Sequence, residues 1–172
     1  MMPEIKKIPY ATDLSPNSAY VFRYAINAAI KHDADIIILH VFERIPAIAA
    51  GMLDFYLDEN QRKKIFEEKV SETKERIKKR VKLFCEKEFK DNPDGAEKVI
   101  SIEVCEGFPP EVILRKTDEL GCDTIVLGTH GKGIIANTFL GSTSKRVLRR
   151  TRKPVFIIPL PKGELDITFH DF

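Results

Sequence analysis

Short apolar runs alternate along the chain with segments in which apolar residues recur at helical spacing. A continuous run such as DIIILHVF, at 35–42, is typical of a strand that is buried on both faces of a sheet. Five runs of this kind predict strands at 5–12, 35–42, 98–104, 123–129 and 154–160. Pro9 lies inside the first run, where it cannot donate a hydrogen bond to a neighbouring strand.

The segments between these runs predict helices at 15–32, 58–90, 109–120 and 142–151. One apolar stripe follows the long charged segment 58–90, formed by Phe66, Val70, Thr73, Ile77, Val81 and Phe84. The charges of that segment are most simply explained as a solvated outer face. Residues 43–60 are expected to be irregular, as a loop or a lid. For their apolar part, 45–57, a partner surface and an extension of the long helix are the alternatives.

Strands joined through helices predict an α/β fold, an open parallel five-stranded sheet with helices on both faces. The length of 172 residues fits a single domain, which we expect to span residues 1–160 and to precede a C-terminal tail, 161–172. Ligands of such sheets bind beyond the carboxyl ends of the strands, where the strand order reverses. The ends of the first and fourth strands, at Asp13 and Gly128, are therefore the predicted ligand site.

The composition argues against several classes of function. Basic and acidic residues nearly balance, at 28 and 26, and alternate along the chain, so no surface for nucleic acid is predicted. The apolar runs are too short to cross a membrane, and the first residues lack the apolar core of a signal peptide. Three widely spaced cysteines predict neither disulfides nor a metal site, and they fit a cytoplasmic protein: Cys85, Cys105 and Cys122.

Candidate chemistry concentrates in VLGTHGKGIIANTFLGSTSKRVL, residues 126–148. Gly128, Gly131 and Gly133 follow the fourth strand, and Gly141 precedes Ser-Thr-Ser at the predicted start of a helix. Helix N-termini expose N–H groups, and glycine lets the backbone approach an anion closely, so the pattern predicts a phosphate site. A turn and a helix cap without a ligand would use the same residues.

Two better-known phosphate motifs do not fit this stretch. Ile134 stands where a Walker A loop requires lysine. The match of GKGIIA to the dinucleotide-binding fingerprint follows the fourth strand rather than the first, and Lys153 stands where the ribose-binding acid would be.

The spacing Gly128-x2-Gly131-x9-Gly141-Ser142 resembles the ATP-binding signature of the universal stress protein family. The resemblance covers nearly the whole chain. ATDLSPNSAYVFRYAINAA looks like the family's first strand end and helix, IIILHV like its second strand, GCDTIVLGTHGKG like its fourth strand and loop, and LGSTSKRVLRRTRKPVFIIP like its last helix and strand. It implies a Rossmann-like fold of the adenine nucleotide alpha hydrolase-like type.

The resemblance also implies a role for each matching position. The cofactor-binding residues that it implies are Ala11, Thr12, Asp13 and Val41 for the adenosine, Leu127 and Gly128 for the ribose, and Gly131, Gly141, Ser142, Thr143 and Ser144 for the phosphates. It implies ATP as the ligand, with Mg or Mn on the phosphates and no identifiable metal ligand from the protein. It further implies a homodimer, because the last strand would form a sheet edge that needs cover, at Val155, Phe156, Ile157 and Ile158.

Three functions remain open at this point. The first is a binding and signalling module in which ATP sets the conformation or the partners, with at most slow hydrolysis. The second is an ATP-hydrolysing or nucleotide-transferring enzyme. ATDLSPNS, however, stands where related enzymes carry S-G-G-x-D-S or H-x-G-H, and no residue is an evident general base. The third is a nucleotide-free dimeric scaffold, which the intact glycine-serine pattern opposes.

Several polar residues have a plainer explanation beside the functional one. Asp13 could merely cap the first helix. His130 has no predicted nucleophile or acid to pair with, and His40, inside an apolar strand, is expected to be a hydrogen-bonded core residue. The basic run RVLRRTRK, 146–153, complements the dipole at a helix C-terminus.

Overall fold

Five parallel strands form one sheet in the order β3-β2-β1-β4-β5. The computed structural model describes residues 2–44, 47–89, 94–129, 140–161 and 168. The strands are β1 Lys7–Thr12, β2 Asp35–Glu43, β3 Val99–Gly107, β4 Ile125–Gly128 and β5 Val155–Ile158. Because β1 is central, the chain builds the sheet first to one side and then to the other. The predicted α/β fold with a parallel five-stranded sheet is confirmed.

Helices cover both faces of this sheet, as predicted. They are α1 Ser18–His32, α2 Ala47–Asp54, α3 Glu59–Glu88, α4 Asp94–Glu97, α5 Pro109–Glu119 and α6 Ser142–Arg150. On one face, α1 and α3 enclose a core in which the rings of Phe22 and Phe84 meet edge to face, with centroids 5.0 Å apart. On the other face, Ile113 of α5 and Val147 of α6 pack near Leu127 of β4. Each such large side chain contributes about 1.5–3 kcal/mol on burial, which fixes the layers.

Pro9 lies in the central strand, where its missing N–H has a visible consequence. The Lys7 N–H donates to the carboxylate of Asp123 at 2.9 Å, and the Asp123 N–H donates to the Lys7 carbonyl at 2.9 Å. Residues 7, 9 and 11 of β1 therefore direct their backbone groups toward β4. Pro9 removes one donor from this side, and in the described part β1 and β4 share a single register pair, Tyr10 with Val126.

Residues 43–60 are not irregular throughout, so that expectation is wrong for α2. AIAAGMLD consists largely of strong helix formers, and an added Cβ at Gly51 would meet nothing within 4 Å. A turn separates α2 from α3, and Asp58 then caps α3 in a reciprocal capping box with Gln61. The segment is therefore not an extension of the long helix, and its role as a lid stays a prediction.

The long helix α3 buries one face, and only over its second half. The predicted apolar stripe is confirmed there by Thr73, Ile77, Val81 and Phe84. Over 59–72 every residue is exposed except the half-buried Phe66 and Val70. The first half of α3 therefore has little of the described chain to pack against.

Helix α1 begins at Ser18, three residues later than the predicted start at residue 15. The N–H and the hydroxyl of Ser18 both donate to the Ser15 carbonyl, at 3.0 and 2.6 Å. Residues 15–17 thus form a turn before the helix, and Ser15 acts through its carbonyl rather than through its side chain.

Candidate functional site

A cleft of about 990 Å³ opens at the carboxyl edge of the sheet, between the ends of β1 and β4. The strand order reverses at this point, which is where parallel sheets bind ligands. Ten of the eleven predicted cofactor-binding residues line the cleft: Ala11, Thr12, Asp13, Val41, Leu127, Gly128, Gly141, Ser142, Thr143 and Ser144. The eleventh, Gly131, lies outside the described residues, as does His130. The structure thus brings the predicted residues together, and their contact with a nucleotide stays a prediction.

The loop between β1 and α1, residues 13–17, forms one wall of the cleft. Leu14 has a φ of 60°, a left-handed conformation that residues with a side chain seldom adopt. The Leu14 N–H donates to Thr12 Oγ1 at 3.1 Å, and the Ser15 N–H donates to Asp13 Oδ1 at 3.0 Å. Backbone strain of this kind persists only where the surroundings hold it, and it is common at ligand sites.

The second carboxylate oxygen of Asp13, Oδ2, is buried and has no hydrogen-bond partner among the described residues. A buried acceptor without a donor costs about 1–3 kcal/mol. The plainer explanation, a cap of α1, is wrong, because the N-cap of α1 is Asn17 and no side chain caps it. Asp13 also lines the cleft, so a ligand donor that reached this oxygen would supply the missing partner.

His40 of β2 supports the same wall and is only 5% exposed. Its Nδ1 lies 2.8 Å from the Thr12 carbonyl oxygen. Since a carbonyl can only accept, Nδ1 carries the proton and donates. The His40 ring also meets Phe42 edge to face, with centroids 4.9 Å apart. The prediction of a hydrogen-bonded core histidine is confirmed, although His40 also reaches the cleft.

Helix α6 begins at the opposite wall. Its N-cap is Gly141, whose N–H donates to the Thr129 carbonyl at 2.6 Å. The first N–H groups of a helix have no acceptor within that helix, and they carry positive partial charge. Residues 142–144 therefore direct backbone donors and the positive end of a helix toward the cleft.

Ser144 differs from its predicted part in one respect. Its hydroxyl donates to the Gly128 carbonyl at 2.7 Å, and the residue is buried. The hydroxyl proton therefore joins α6 to the end of β4, and the backbone N–H is the donor that Ser144 can offer to an anion.

Two arginines of α3 reach the cleft although the sequence pattern assigned the charges of this helix to a solvated face. Arg76 and Arg80 lie one turn apart, on either side of the buried Ile77. Nη1 of Arg80 donates to the Leu14 carbonyl at 3.1 Å. Burial, and after it the neighbouring Arg76, lowers the pKa of Arg80. The assignment to a solvated face is wrong for Arg80, which is half-buried, whereas Arg76 is exposed as predicted although it also lines the cleft. The position of Arg80 beside the apolar stripe was the available signal.

Tyr10 supports the β1 wall from inside the core. Its hydroxyl donates to the Ser18 carbonyl at 2.7 Å, and its ring centroid lies 5.4 Å from that of Phe22. Burial raises the pKa of the Tyr10 hydroxyl well above its ordinary value. Tyr10 therefore ties the start of α1 to the central strand.

Other chemistry is sparse in the part of the chain that the structure describes. There, no group of three or more His, Cys, Asp or Glu residues is placed to hold a metal ion. The three cysteines are unpaired, and burial raises the pKa of the Cys85 thiol to about 11, which leaves it unreactive. None of the described helices combines the length and apolar character needed to cross a membrane.

Strand β5 forms one edge of the sheet and pairs with β4 on its inner side. Phe156 of β5 is 38% exposed, while Val155, Ile157 and Ile158 are half-buried. This is the edge through which the sequence predicts a homodimer.

Comparison with known proteins agrees with this architecture. The chain is 28% identical over 153 residues to Universal stress protein MJ0577 of Methanocaldococcus jannaschii, which covers 89% of this chain and 94% of the relative. The solved structure of MJ0577 matches 94% of this chain and all of its own, with a TM-score of 0.68 at 24% identity. A universal stress protein solved in complex with cAMP matches 91% of this chain and 98% of its own, with a TM-score of 0.51 at 20% identity. The two structures show the shared fold. The family model of the universal stress protein family matches residues 4–159, and this chain belongs to that family.

Proposed function

We propose that the cleft binds an adenine nucleotide, ATP above others, and that the bound nucleotide sets the conformation or the partners of a stress-response module. One observation carries the proposal: the same cleft combines a hydrogen-bond acceptor on one wall with backbone N–H donors on the other. The unpartnered Asp13 Oδ2 lies on the β1 wall, and the N-terminus of α6 lies on the other. Adenosine supplies amino and hydroxyl donors for the first, and phosphates are acceptors for the second. Membership of the family supports this, because the glycine-serine spacing resembles its ATP-binding signature.

Each wall has a defined part in the proposal. Asp13 accepts a hydrogen bond from the adenosine, beside Ala11, Thr12 and Val41. Leu127 and Gly128 flank the ribose at the end of β4. The phosphates approach the N–H groups at the start of α6 and the adjacent Lys145, which also lines the cleft.

We propose that Mg or Mn is held through the phosphate oxygens and water. Mg²⁺ commonly keeps several waters and binds through substrate phosphates rather than through an all-protein cage. The donor set fits this arrangement, because the described residues on the α6 wall supply hydroxyl and N–H groups and no carboxylate. Such an ion supplies positive charge that neutralises the phosphates.

A binding module is favoured over an efficient enzyme by the placement of the titratable groups. Among the described residues of the cleft, Asp13, His40 and Glu43 all lie at the ends of β1 and β2. None of them belongs to the wall where the phosphates are proposed to lie, so the described part of that wall offers no carboxylate or imidazole as a general base. We expect slow hydrolysis at most.

We also propose that two copies of the chain pair through β5, because an unpaired strand edge needs cover. Sedimentation of the wild type and of Phe156→Lys checks this. A dimer that the substitution dissociates is expected, and a monomeric wild type would contradict the pairing. A cytoplasmic location, predicted from the cysteine pattern, belongs to the same proposal.

The experiment that tests nucleotide binding is a calorimetric titration of nucleotide-free protein with Mg-ATP, ADP, AMP, cAMP and adenosine. Ser142→Asp places a negative charge at the first residue of α6, where it stabilises the helix but repels phosphate. It should weaken ATP binding by at least about tenfold, whereas the isosteric and neutral Ser142→Asn should change it little. The absence of binding by every adenine compound would overturn the proposed function.

A further inference from the structure

Two hydrogen bonds from outside the loop hold the carbonyl groups on either side of Asp13. His40 of β2 donates to the Thr12 carbonyl at 2.8 Å. Arg80 of α3 donates to the Leu14 carbonyl at 3.1 Å. The backbone on either side of Asp13 is therefore held by two elements that are distant along the chain.

Leu14 is where the loop depends most on outside support. Its left-handed backbone, with a φ of 60°, costs about 1–3 kcal/mol in a residue with a side chain. Leu14 and Arg80 line the same small void, of about 10 Å³, together with Tyr10 and Ile77. Such a void holds one water molecule at most. The hydrogen bond from Arg80 therefore holds the Leu14 carbonyl from the side of α3.

Arg80 occupies this place against an electrostatic cost. It is half-buried, and a second guanidinium, that of Arg76, lies one turn away on the same helix. Like charges at this spacing destabilise a helix. The charged hydrogen bond to the Leu14 carbonyl offsets part of that cost, although Arg80 lies beside the apolar stripe of α3.

We infer that Arg80 is a positioning residue, which holds the β1–α1 loop in the conformation that presents Asp13 to the ligand and so couples α3 to occupancy of the cleft. The inference rests on the proposed function, in which Asp13 accepts a hydrogen bond from the adenosine. Linkage makes the coupling reciprocal, because a ligand that needs this loop conformation also stabilises the contact of Arg80 with Leu14.

The coupling gives the nucleotide site a physical connection to the surface of the molecule. Helix α3 is continuous from Glu59 to Glu88, and its first half is exposed. Phe55 and Tyr56, in the turn before α3, are 89% and 83% exposed. A displacement of α3 at Arg80 would therefore also displace the exposed residues at the start of the helix, which are accessible to a partner protein.

Three variants separate positioning from simple charge attraction. Arg80→Met removes the contact with Leu14 and one positive charge. Arg76→Met removes a positive charge from the same wall and leaves the contact, which makes it the matched control. Arg80→Lys keeps the charge and a donor. Each is titrated with Mg-ATP and with adenosine, and thermal unfolding confirms the fold; if Arg80→Met does not fold, Arg80→Leu replaces it.

Adenosine provides the decisive readout because it carries no charge. Arg80→Met should weaken adenosine and ATP by a similar factor, about tenfold, since the loss lies in the placement of Asp13. Arg76→Met should leave adenosine binding within about twofold of the wild type. Arg80→Lys should recover most of the affinity. Unchanged adenosine binding in Arg80→Met, or equal losses in the two methionine variants, would overturn the inference.

Failure of the proposed function is distinguishable from failure of the inference. If the wild type binds neither ATP nor adenosine, the proposed function fails, whereas wild-type binding with an indifferent Arg80→Met overturns only the positioning role. Amide exchange in the ligand-free protein gives a second measurement. The N–H groups of Leu14 and Ser15 should exchange faster in Arg80→Met than in Arg76→Met, and equal rates would contradict the role of Arg80.

Discussion

The two walls of the cleft are built in opposite ways. On the β1 wall, side chains from three elements hold an irregular loop: Tyr10 of β1, His40 of β2 and Arg80 of α3. On the α6 wall, the donors are backbone N–H groups that any helix start would offer. The first wall presents an acceptor and the second presents donors.

This difference separates two properties of the proposed site. A wall whose geometry is fixed by tertiary contacts can discriminate between ligands. A ligand whose donor does not meet the fixed acceptor leaves a polar group unpaired, which costs binding free energy. A helix N-terminus attracts phosphate through partial charge and tolerates variation in its side chains. Substitutions on the β1 wall should therefore change selectivity for the base, and substitutions on the α6 wall should change the response to charge.

The largest effect is expected from Asp13→Asn. Affinity for both ATP and adenosine should fall by about 10- to 100-fold, because the charged acceptor is lost. The free energy of unfolding of the ligand-free protein should stay equal or rise, since asparagine keeps an acceptor for the Ser15 N–H and removes the charge from an oxygen that has no donor. Calorimetry and urea unfolding measure the two quantities.

Asp123→Asn is the matched control for this substitution. Asp123 Oδ2 accepts from the N–H groups of Lys6 and Lys7, at 2.8 and 2.9 Å, away from the cleft. Its substitution should lower stability and leave nucleotide affinity unchanged. If Asp13→Asn behaved like Asp123→Asn, the acceptor role of Asp13 would be wrong.

Ser144→Ala tests the junction between the α6 wall and β4. The buried Gly128 carbonyl loses its donor, so the free energy of unfolding should fall by about 1–2 kcal/mol. ATP affinity should change by less than about threefold, because the backbone N–H remains. The exposed Ser142→Ala should change stability by no more than about 0.5 kcal/mol in the same urea titration. Equal stability losses would show that the Ser144 hydroxyl has no special part.

Tyr10→Phe should make the β1 wall less sensitive to alkaline pH. The folded-state pKa of Tyr10 is raised above its usual 10.0, so its stabilisation is complete below pH 10 and is lost as the pH rises further. Near pH 7 the variant should be about 1 kcal/mol less stable, because the bond to the Ser18 carbonyl is lost. Above pH 10 the gap should narrow by up to about 1.4 kcal/mol per pH unit. A gap that is independent of pH, in urea unfolding, would contradict this assignment.

Leu14→Gly should have the smallest effect on stability. Relief of the left-handed backbone, worth about 1 kcal/mol, is offset by the loss of a half-buried side chain, so the net change should be under about 1 kcal/mol. Gly121→Ala is the counterpart, with a φ of 62° and open space around the Cβ position. It should destabilise by about 1 kcal/mol, because it creates the strain that Leu14 already carries. A large loss in Leu14→Gly would show that packing dominates at this position.

The sequence predicted most of the sheet because its signals are local, and the resemblance to the universal stress protein family implied most of the residues that line the cleft. Apolar runs and helical stripes depend on neighbours within a few positions, and parallel strands place their carboxyl ends at one edge. The start of α1 was placed wrongly because a turn and a first helical turn share residue preferences. Helix α2 was missed because its segment contains Gly51, and glycine is unfavourable in a helix interior although nothing crowds it here.

The order of apolar and polar residues by itself determined the α/β class, the strand that each motif follows and the edge of the sheet where a ligand site could form. Tertiary structure alone decided that Arg80 holds the Leu14 carbonyl, that the Ser144 hydroxyl is used on Gly128 and that one oxygen of Asp13 is buried without a donor. The physical reason is that periodicity specifies which face of an element is buried. The partner of a polar side chain depends on how two elements distant in the chain are oriented in space, here α3 against the end of β1.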